Sequence, residues 1–222
     1  RPPRSTPKPS SAASDVYKRQ GLIESLIIDL VTELAEANWG TLTDPDPLYA
    51  VVAERVTYSS RSPSGAPSDN LSGLVARPVT DDGFTPRDRF IILTHATGST
   101  PGDLNQEDAW FILANMFASR GYLVVAADNY GRGASSDQVE TYLMANRTAF
   151  NTLDLVRHVL NESNYANAYS GNEAVVIGYS QGGHSAIAVW LMQELQASSN
   201  LDISLVYAGA VSYTHLTLPT KA

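Results

Sequence analysis

Four short runs of apolar residues constrain the fold of this chain more than any other feature. They occupy residues 89–96 (RFIILTHA), 122–128 (YLVVAAD), 174–179 (AVVIGY) and 203–209. Unbroken apolar runs of this length are typical of strands that are buried on both faces of a sheet. The intervening segments 105–120, 142–160 and 183–196 have the pattern of helices. Alternation of this kind predicts an α/β fold with a mostly parallel, doubly wound sheet and right-handed crossovers.

An antiparallel edge is predicted at the amino-terminal side of that sheet. Residues 51–60 and 72–79 have the pattern of two strands, and the turn-rich sequence RSPSGAPSDN over residues 61–70 connects them. Before them, residues 21–39 have helical spacing of apolar residues. Acidic residues interrupt that segment, which excludes a membrane span, and residues 41–48 (TLTDPDPL) predict a loop.

Composition and spacing exclude several classes of function. The chain has no cysteine, so a disulfide scaffold, a cysteine-ligated zinc site and a thiol nucleophile are excluded. Its net charge of −8 disfavours binding to nucleic acid or to an anionic membrane surface. Gly131-Arg132-Gly133 lacks the third glycine of a dinucleotide-binding motif, and no metal-ligand spacing is present. We therefore predict no cofactor and no metal.

The two ends of the chain differ from the rest. All three lysines, Lys8, Lys18 and Lys221, lie near an end. A single DNA strand can encode residues 10–20, and its complement can encode residues 211–220. That strand resembles a sequencing-library adapter. We therefore expect residues 1–20 and 211–222 to be non-native, and residues 21–210 to form one partial domain.

The sequence Gly178-Tyr179-Ser180-Gln181-Gly182 is a G-x-S-x-G motif between a predicted strand and a predicted helix. A turn this tight holds its central residue in a strained backbone conformation, and the flanking glycines remove Cβ clashes. The helix that follows directs its N–H groups and the positive end of its dipole toward a developing oxyanion. The motif therefore predicts that Ser180 is a nucleophile.

Two other strand ends contribute candidate residues. The loop LTHATGST over residues 93–100 consists of small residues and can offer a backbone N–H to the same oxyanion. Thr97 is the predicted donor, with Ala96 as the alternative. The loop within residues 121–135, which follows Asp128, is expected to shape the floor beside the pocket. Function gathers at the carboxyl ends of strands in sheets of this kind.

These stretches, together with SGLVARP at residues 72–78 and GYSQGGH at residues 178–184, resemble the α/β-hydrolase fold in its esterase and secretory-lipase branch. The resemblance covers residues 51–209. It implies a serine, an acid and a histidine in that chain order, an acyl-enzyme on Ser180, and oxyanion contacts from the N–H groups of Thr97 and Gln181. The chain departs from its relatives at His95-Ala96-Thr97, where they commonly have His-Gly.

The remaining members of a catalytic triad are not evident in this chain. After Ser180, residues 21–210 contain one aspartate, Asp202, and one histidine, His184. Asp202 precedes its strand and should lie at the wrong end of the sheet, whereas His184 should pack under the site. The earlier His95 and His158 are expected to be structural, and His215 falls in the adapter. We expect the acid and the histidine to follow strands that this chain lacks, which would leave it poorly soluble or inactive on its own.

The resemblance implies a secreted or periplasmic serine hydrolase that cleaves small-molecule carboxylic esters. Neither nucleic acid nor a membrane span is expected. Two alternatives remain open. One is a serine peptidase of the same fold, and the other is a non-catalytic binding protein built on the same scaffold, because a fold does not fix a function.

Overall fold

A computed structural model of the chain describes residues 49–80, 84–196 and 201–211. The predictions for residues 1–20, 21–39, 41–48 and 212–222 lie outside these ranges. The described strands are β1 (Val51–Arg61), β2 (Pro67–Pro78), β3 (Arg87–Thr94), β4 (Val124–Ala127), β5 (Tyr169–Tyr179) and β6 (Asp202–Gly209). The described helices are α1 (Ala109–Ser119), α2 (Ala145–Asn161) and α3 (Gln181–Leu195), and short 3-10 turns lie at Pro101–Asp103, Gly133–Ser135 and Ser163–Tyr165.

The described strands form one sheet in the order β1-β2-β4-β3-β5-β6. β1 pairs antiparallel with β2, and β2 pairs antiparallel with β4. The pairs β3–β4, β3–β5 and β5–β6 are all parallel. The predicted mostly parallel sheet with an antiparallel amino-terminal edge is therefore confirmed.

Helices on both faces explain why the central strands are apolar throughout. Successive side chains of a strand point to opposite faces, and all four residues from Phe90 to Leu93 are buried. Phe90 and Ile92 join residues of α2 and α3 in one hydrophobic core. On the other face, α1 packs against β2 and β4 and buries Trp110 and Phe117. Within the described ranges, no helix combines the length and the apolar character that crossing a bilayer requires.

The prediction that all of residues 61–70 form a turn was wrong. β2 begins at Pro67, where it pairs with Arg61, and the pairing continues through Ser60 with Ser68. The turn is confined to residues 62–66, which a hydrogen bond from Ser62 N–H to the Ala66 carbonyl closes at 2.9 Å. Cross-strand pairing outweighs the turn propensity of the residues that follow.

All three described helices begin at residues that differ from the predicted starts. α2 begins at Ala145 rather than at residue 142, because Leu143 has a left-handed backbone conformation with a φ of 54° that a helix cannot include. α1 begins at Ala109 rather than at residue 105, because the Asp108 carboxylate accepts hydrogen bonds from the N–H groups of Trp110 and Phe111 and caps the helix there. α3 begins at Gln181 rather than at residue 183. The first turn of α3 therefore starts directly after Ser180, which matters for the site.

Candidate active site

Ser180 occupies the sharp bend between β5 and α3. Its φ is 57° and its ψ is −118°, so the strained backbone predicted at this position is confirmed. The Ser180 N–H donates to the Gly209 carbonyl at the end of β6 (2.9 Å), and the Ser180 carbonyl accepts from the Gly183 N–H (3.1 Å). Ser180 itself is half-buried. The neighbouring strand and the following helix thus hold the bend from both sides.

The glycines beside Ser180 are required by a close approach between α3 and the end of β3. A Cβ on Gly182 would collide with the carbonyl oxygens of Thr94 and His95, and one on Gly178 would collide with the Thr94 hydroxyl. The Thr94 hydroxyl donates to the Gly182 carbonyl at 2.7 Å. This contact brings the bend at Ser180 to the sheet edge where the loop after β3 begins.

That loop carries Thr97 in a tight turn. The Ser99 N–H donates to the Ala96 carbonyl (3.2 Å), and Gly98 supplies the positive φ of 92° that this turn needs. The Asp108 carboxylate, which caps α1, also accepts from the Ser99 hydroxyl at 2.8 Å and from the Thr100 N–H at 3.2 Å. Thr97 is exposed at the tip of this turn. Its assignment as an oxyanion donor, like that of Gln181, stays a prediction.

Gln181, the first residue of α3, belongs to a polar network that the sequence analysis missed. Its side chain is 4% exposed, and its Nε2 donates to Glu140 Oε1 at 3.2 Å. Arg132 donates to both carboxylate oxygens of Glu140, from Nε at 2.9 Å and from Nη2 at 3.0 Å. A charged residue between two glycines after a buried strand was the available signal for Arg132, whereas nothing in the local sequence marks Glu140.

The electrostatics of Glu140 follow from these contacts. Burial alone would raise the pKa of its carboxyl. The hydrogen bonds from Arg132 and Gln181, together with the charge of Arg132, outweigh burial and lower the pKa below its ordinary value. Glu140 is therefore an anion over the neutral pH range.

Asp128 directly follows the last residue of β4 and is fully buried. Its carboxylate accepts from the Ser72 hydroxyl at 2.6 Å and from the Gly102 N–H at 2.7 Å. Burial raises the pKa of Asp128, and these two hydrogen bonds oppose that effect. The carboxylate ties the loop after β4 to β2 and to the turn at Pro101–Asp103. The expectation that this loop forms the floor of a pocket stays a prediction.

Of the candidate histidines and acids, His95, His158, His184 and Asp202 lie within the described residues, whereas His215 lies outside them. Asp202 is the first residue of β6 rather than a residue before the strand, because it pairs with Glu173 of β5. In buried His95, Nδ1 is 3.0 Å from the Ala96 carbonyl oxygen and Nε2 is 2.9 Å from Asn129 Nδ2, which fits a structural role. His184 lies one turn along α3, and burial lowers the pKa of its ring. His158 lies in the last turn of α2. Asp202 pairs with Glu173, far along β5 from Tyr179, and so lies at the opposite end of the sheet from Ser180.

Within the described residues, no group of three or more histidine and carboxylate side chains could hold a metal ion. That the acid and the histidine of a triad lie outside this chain stays a prediction.

A comparison with protein families matches the chain to the one described as secretory lipase, over residues 99–218. That span is more than half of the chain. A comparison with curated proteins finds no match.

Solved structures of similar fold include enzymes that act on esters. A provisionally named hydrolase, lpg1103 of Legionella pneumophila, is 25% identical with a TM-score of 0.64, over 81% of this chain and 49% of its own. The rice cell wall degrading esterase LipA of Xanthomonas oryzae is 26% identical with a TM-score of 0.56, over 79% and 45%. Its N228W mutant is 28% identical with a TM-score of 0.54, over 74% and 43%. The chain thus spans about half the length of these proteins or less, and its sheet has the α/β-hydrolase fold.

Proposed function

The chain belongs to the secretory lipase family, and from this membership we propose that it hydrolyses carboxylic esters through an acyl-enzyme formed on Ser180. The observation that carries the proposal is the backbone of Ser180, a non-glycine residue at φ 57° in a G-x-S-x-G bend between a parallel strand and a helix. Backbone strain of this kind persists only where the surrounding structure holds the residue in place, and strained residues are concentrated at functional sites. A strand–helix connection that carries no nucleophile does not require a strained residue.

The proposed reaction has two halves. In the first, the Ser180 hydroxyl oxygen attacks the ester carbonyl carbon while a histidine takes the hydroxyl proton. The tetrahedral intermediate then collapses, the C–O bond to the alcohol breaks, and the alcohol leaves with the proton from the histidine. In the second, water attacks the acyl-enzyme in the same way and releases the acid and free Ser180.

The oxyanion of each tetrahedral intermediate is proposed to accept hydrogen bonds from two backbone N–H groups, those of Gln181 and Thr97. Gln181 is the first residue of α3, where N–H groups lack partners within the helix and the helix dipole is positive. One donor of this kind typically contributes about 3 kcal/mol to the transition state. Thr97 lies in the turn after β3, whose last residue Thr94 contacts the first turn of α3.

The acid and the histidine of the triad are proposed to come from outside the described residues. Both ring nitrogens of His95 already lie within hydrogen-bond distance of other groups, and Asp202 lies at the far end of the sheet. On this proposal, the 222-residue chain alone hydrolyses esters poorly, and the activity belongs to a longer gene product that contains it. The family description, secretory lipase, supports a secreted location. We propose a small-molecule ester as the substrate.

The test compares ester and amide substrates with the complete gene product that contains this sequence. We expect hydrolysis of p-nitrophenyl butyrate or palmitate, no release from aminoacyl p-nitroanilides, and a loss of at least about 10³-fold in kcat/KM for Ser180→Ala. Ser170→Ala is the matched control, because Ser170 is an exposed serine at the opposite end of the same strand. Full activity of Ser180→Ala would refute the proposal. Faster cleavage of the amides would favour the peptidase, and ester binding without turnover would favour the binding protein.

A further inference from the structure

An ion pair lies beside the residue that follows the proposed nucleophile. Arg132 and Glu140 form two parallel hydrogen bonds, and the side chains are only 17% and 28% exposed. Paired contacts of this type fix geometry as well as contribute energy. The same Glu140 oxygen that bonds Arg132 Nε also accepts from the side-chain amide of Gln181. The pair is therefore joined directly to the start of α3.

The backbone segments that carry Arg132 and Glu140 pack closely against each other. Gly131 has a φ of 88°, and a Cβ there would lie 2.5 Å from the backbone nitrogen of Glu140. The Tyr130 carbonyl accepts from the Thr141 N–H at 3.2 Å. Two segments that are in backbone contact thus present Arg132 and Glu140 to each other.

A contribution to the stability of the fold does not by itself explain why an amide side chain is buried at position 181. Its side chain is buried, and its Oε1 has no hydrogen-bond partner among the residues that the structure describes. A buried amide with one unsatisfied atom costs free energy that an apolar side chain of similar size would not. The group that the amide does contact is Glu140.

We propose that Glu140 is a positioning residue, which with Arg132 orients the two backbone N–H groups that bind the oxyanion. The inference rests on the proposed role of Ser180. Holding the Gln181 side chain restricts rotation of the peptide between Ser180 and Gln181, whose N–H is the first donor. Arg132 Nη1 also makes a long contact of 3.5 Å with the Ser99 carbonyl, in the turn that carries Thr97. One carboxylate thereby links both sides of the proposed oxyanion hole.

The lowered pKa of Glu140 agrees with this role, because the carboxylate keeps its charge at any pH where a histidine base is neutral. A positioning role predicts a specific kinetic pattern. The substrate carbonyl oxygen gains its negative charge only as the transition state and the tetrahedral intermediate form, so misplacing the N–H groups lowers kcat and leaves KM nearly unchanged. A purely structural role predicts lower stability with normal kcat for each folded molecule.

The experiment measures kcat, KM and the rate constant of phosphonylation for two variants of the complete gene product, Glu140→Gln and Gln181→Met. Glu140→Gln keeps an acceptor for Gln181 but loses the charge that holds Arg132. Gln181→Met keeps the backbone N–H and the side-chain volume but removes the amide. We expect a loss of roughly tenfold in kcat for each, with KM unchanged, after normalising to the serines that a fluorophosphonate titrates. The rate constant of phosphonylation should fall in parallel, because that reaction also builds charge on oxygen.

Asp154→Asn is the matched control. It breaks the ion pair of Asp154 with Arg157 (2.7 Å) on α2, and Arg157 lines a cavity together with Gly171, near the amino-terminal end of β5 and away from Ser180. We expect this control to lower Tm without changing kcat.

Normal kcat per titrated serine in Glu140→Gln would overturn the proposal. If that variant does not fold, a normal kcat in Gln181→Met would overturn it equally. Full activity in Ser180→Ala would instead refute the proposed function itself, so the two failures are distinguishable.

Discussion

At the scale of single residues, the hydrogen bonds of Ser72 determine what can occupy position 128. The Ser72 hydroxyl oxygen accepts from the Ala134 N–H at 2.8 Å and from Arg55 Nη2 at 3.3 Å. A hydroxyl has two lone pairs and one proton, so the proton is left for Asp128 Oδ2. The other carboxylate oxygen accepts from the Gly102 N–H. Only a side chain with two acceptor oxygens satisfies both donors.

Asp128→Asn is therefore expected to destabilise the protein by about 1–3 kcal/mol, even though it removes a buried charge. Whichever way the amide turns, its NH₂ faces either the Ser72 O–H or the Gly102 N–H, and one buried donor loses its partner. The free energy of unfolding in urea at neutral pH measures the effect. Asp137→Asn, at an exposed position nearby, is the control and should change stability little. A more stable Asp128→Asn would show that the cost of burying the charge dominates instead.

At the scale of elements, the sequence predicted the bounds of a strand best where burial alone determined its residues. The apolar runs of β3 and β4 were located to within about two residues, because strands buried on both faces have no polar positions to confuse the pattern. The start of α3 was missed, since Gly182 and Gly183 have low helix propensity. Both positions require glycine because α3 packs closely against the backbone of Thr94 and Gly209. This packing is a tertiary contact, which no local sequence pattern indicates.

Gly182→Ala tests that requirement. Helix propensity alone predicts a gain in stability, whereas the Cβ would strike the carbonyl oxygens of Thr94 and His95. We expect a loss of about 3 kcal/mol, because α3 must move away from β3 to make room. Thermal unfolding by circular dichroism measures it, with Leu191→Ala on the exposed face of the same helix as the control. An unchanged or raised Tm would mean that α3 can shift without cost and that the bend at Ser180 is less constrained than we infer.

At the scale of the whole molecule, parallel pairing determines which residues meet. The alternation of strands and helices predicted that Ser180 and Thr97 would share the carboxyl edge of the sheet, and the register of Thr94 with Gly178 places both bends there. The network of Arg132, Glu140 and Gln181 was not predictable in this way. Glu140 and Gln181 lie 41 positions apart on irregular or helix-terminal segments, and their contact depends on how loops pack.

The order of the strands also places β6 at one edge of the described sheet. Among the described strands, β6 pairs only with β5, and it carries Leu205 with 41% of its surface exposed. Backbone groups on the open side of an edge strand can pair with another chain, especially where the edge is apolar and uncharged.

We therefore expect the purified 222-residue chain to self-associate, and we expect Leu205→Lys to suppress that association by placing a charge on the edge. Light scattering coupled to size-exclusion chromatography measures the mass of the species formed. Leu191→Lys is the matched control, because Leu191 is exposed to a similar degree (49%) but lies on α3, where no strand can add. If both lysines suppress association equally, exposed apolar surface in general drives it rather than the edge of the sheet. A monomeric parent chain would contradict the prediction outright.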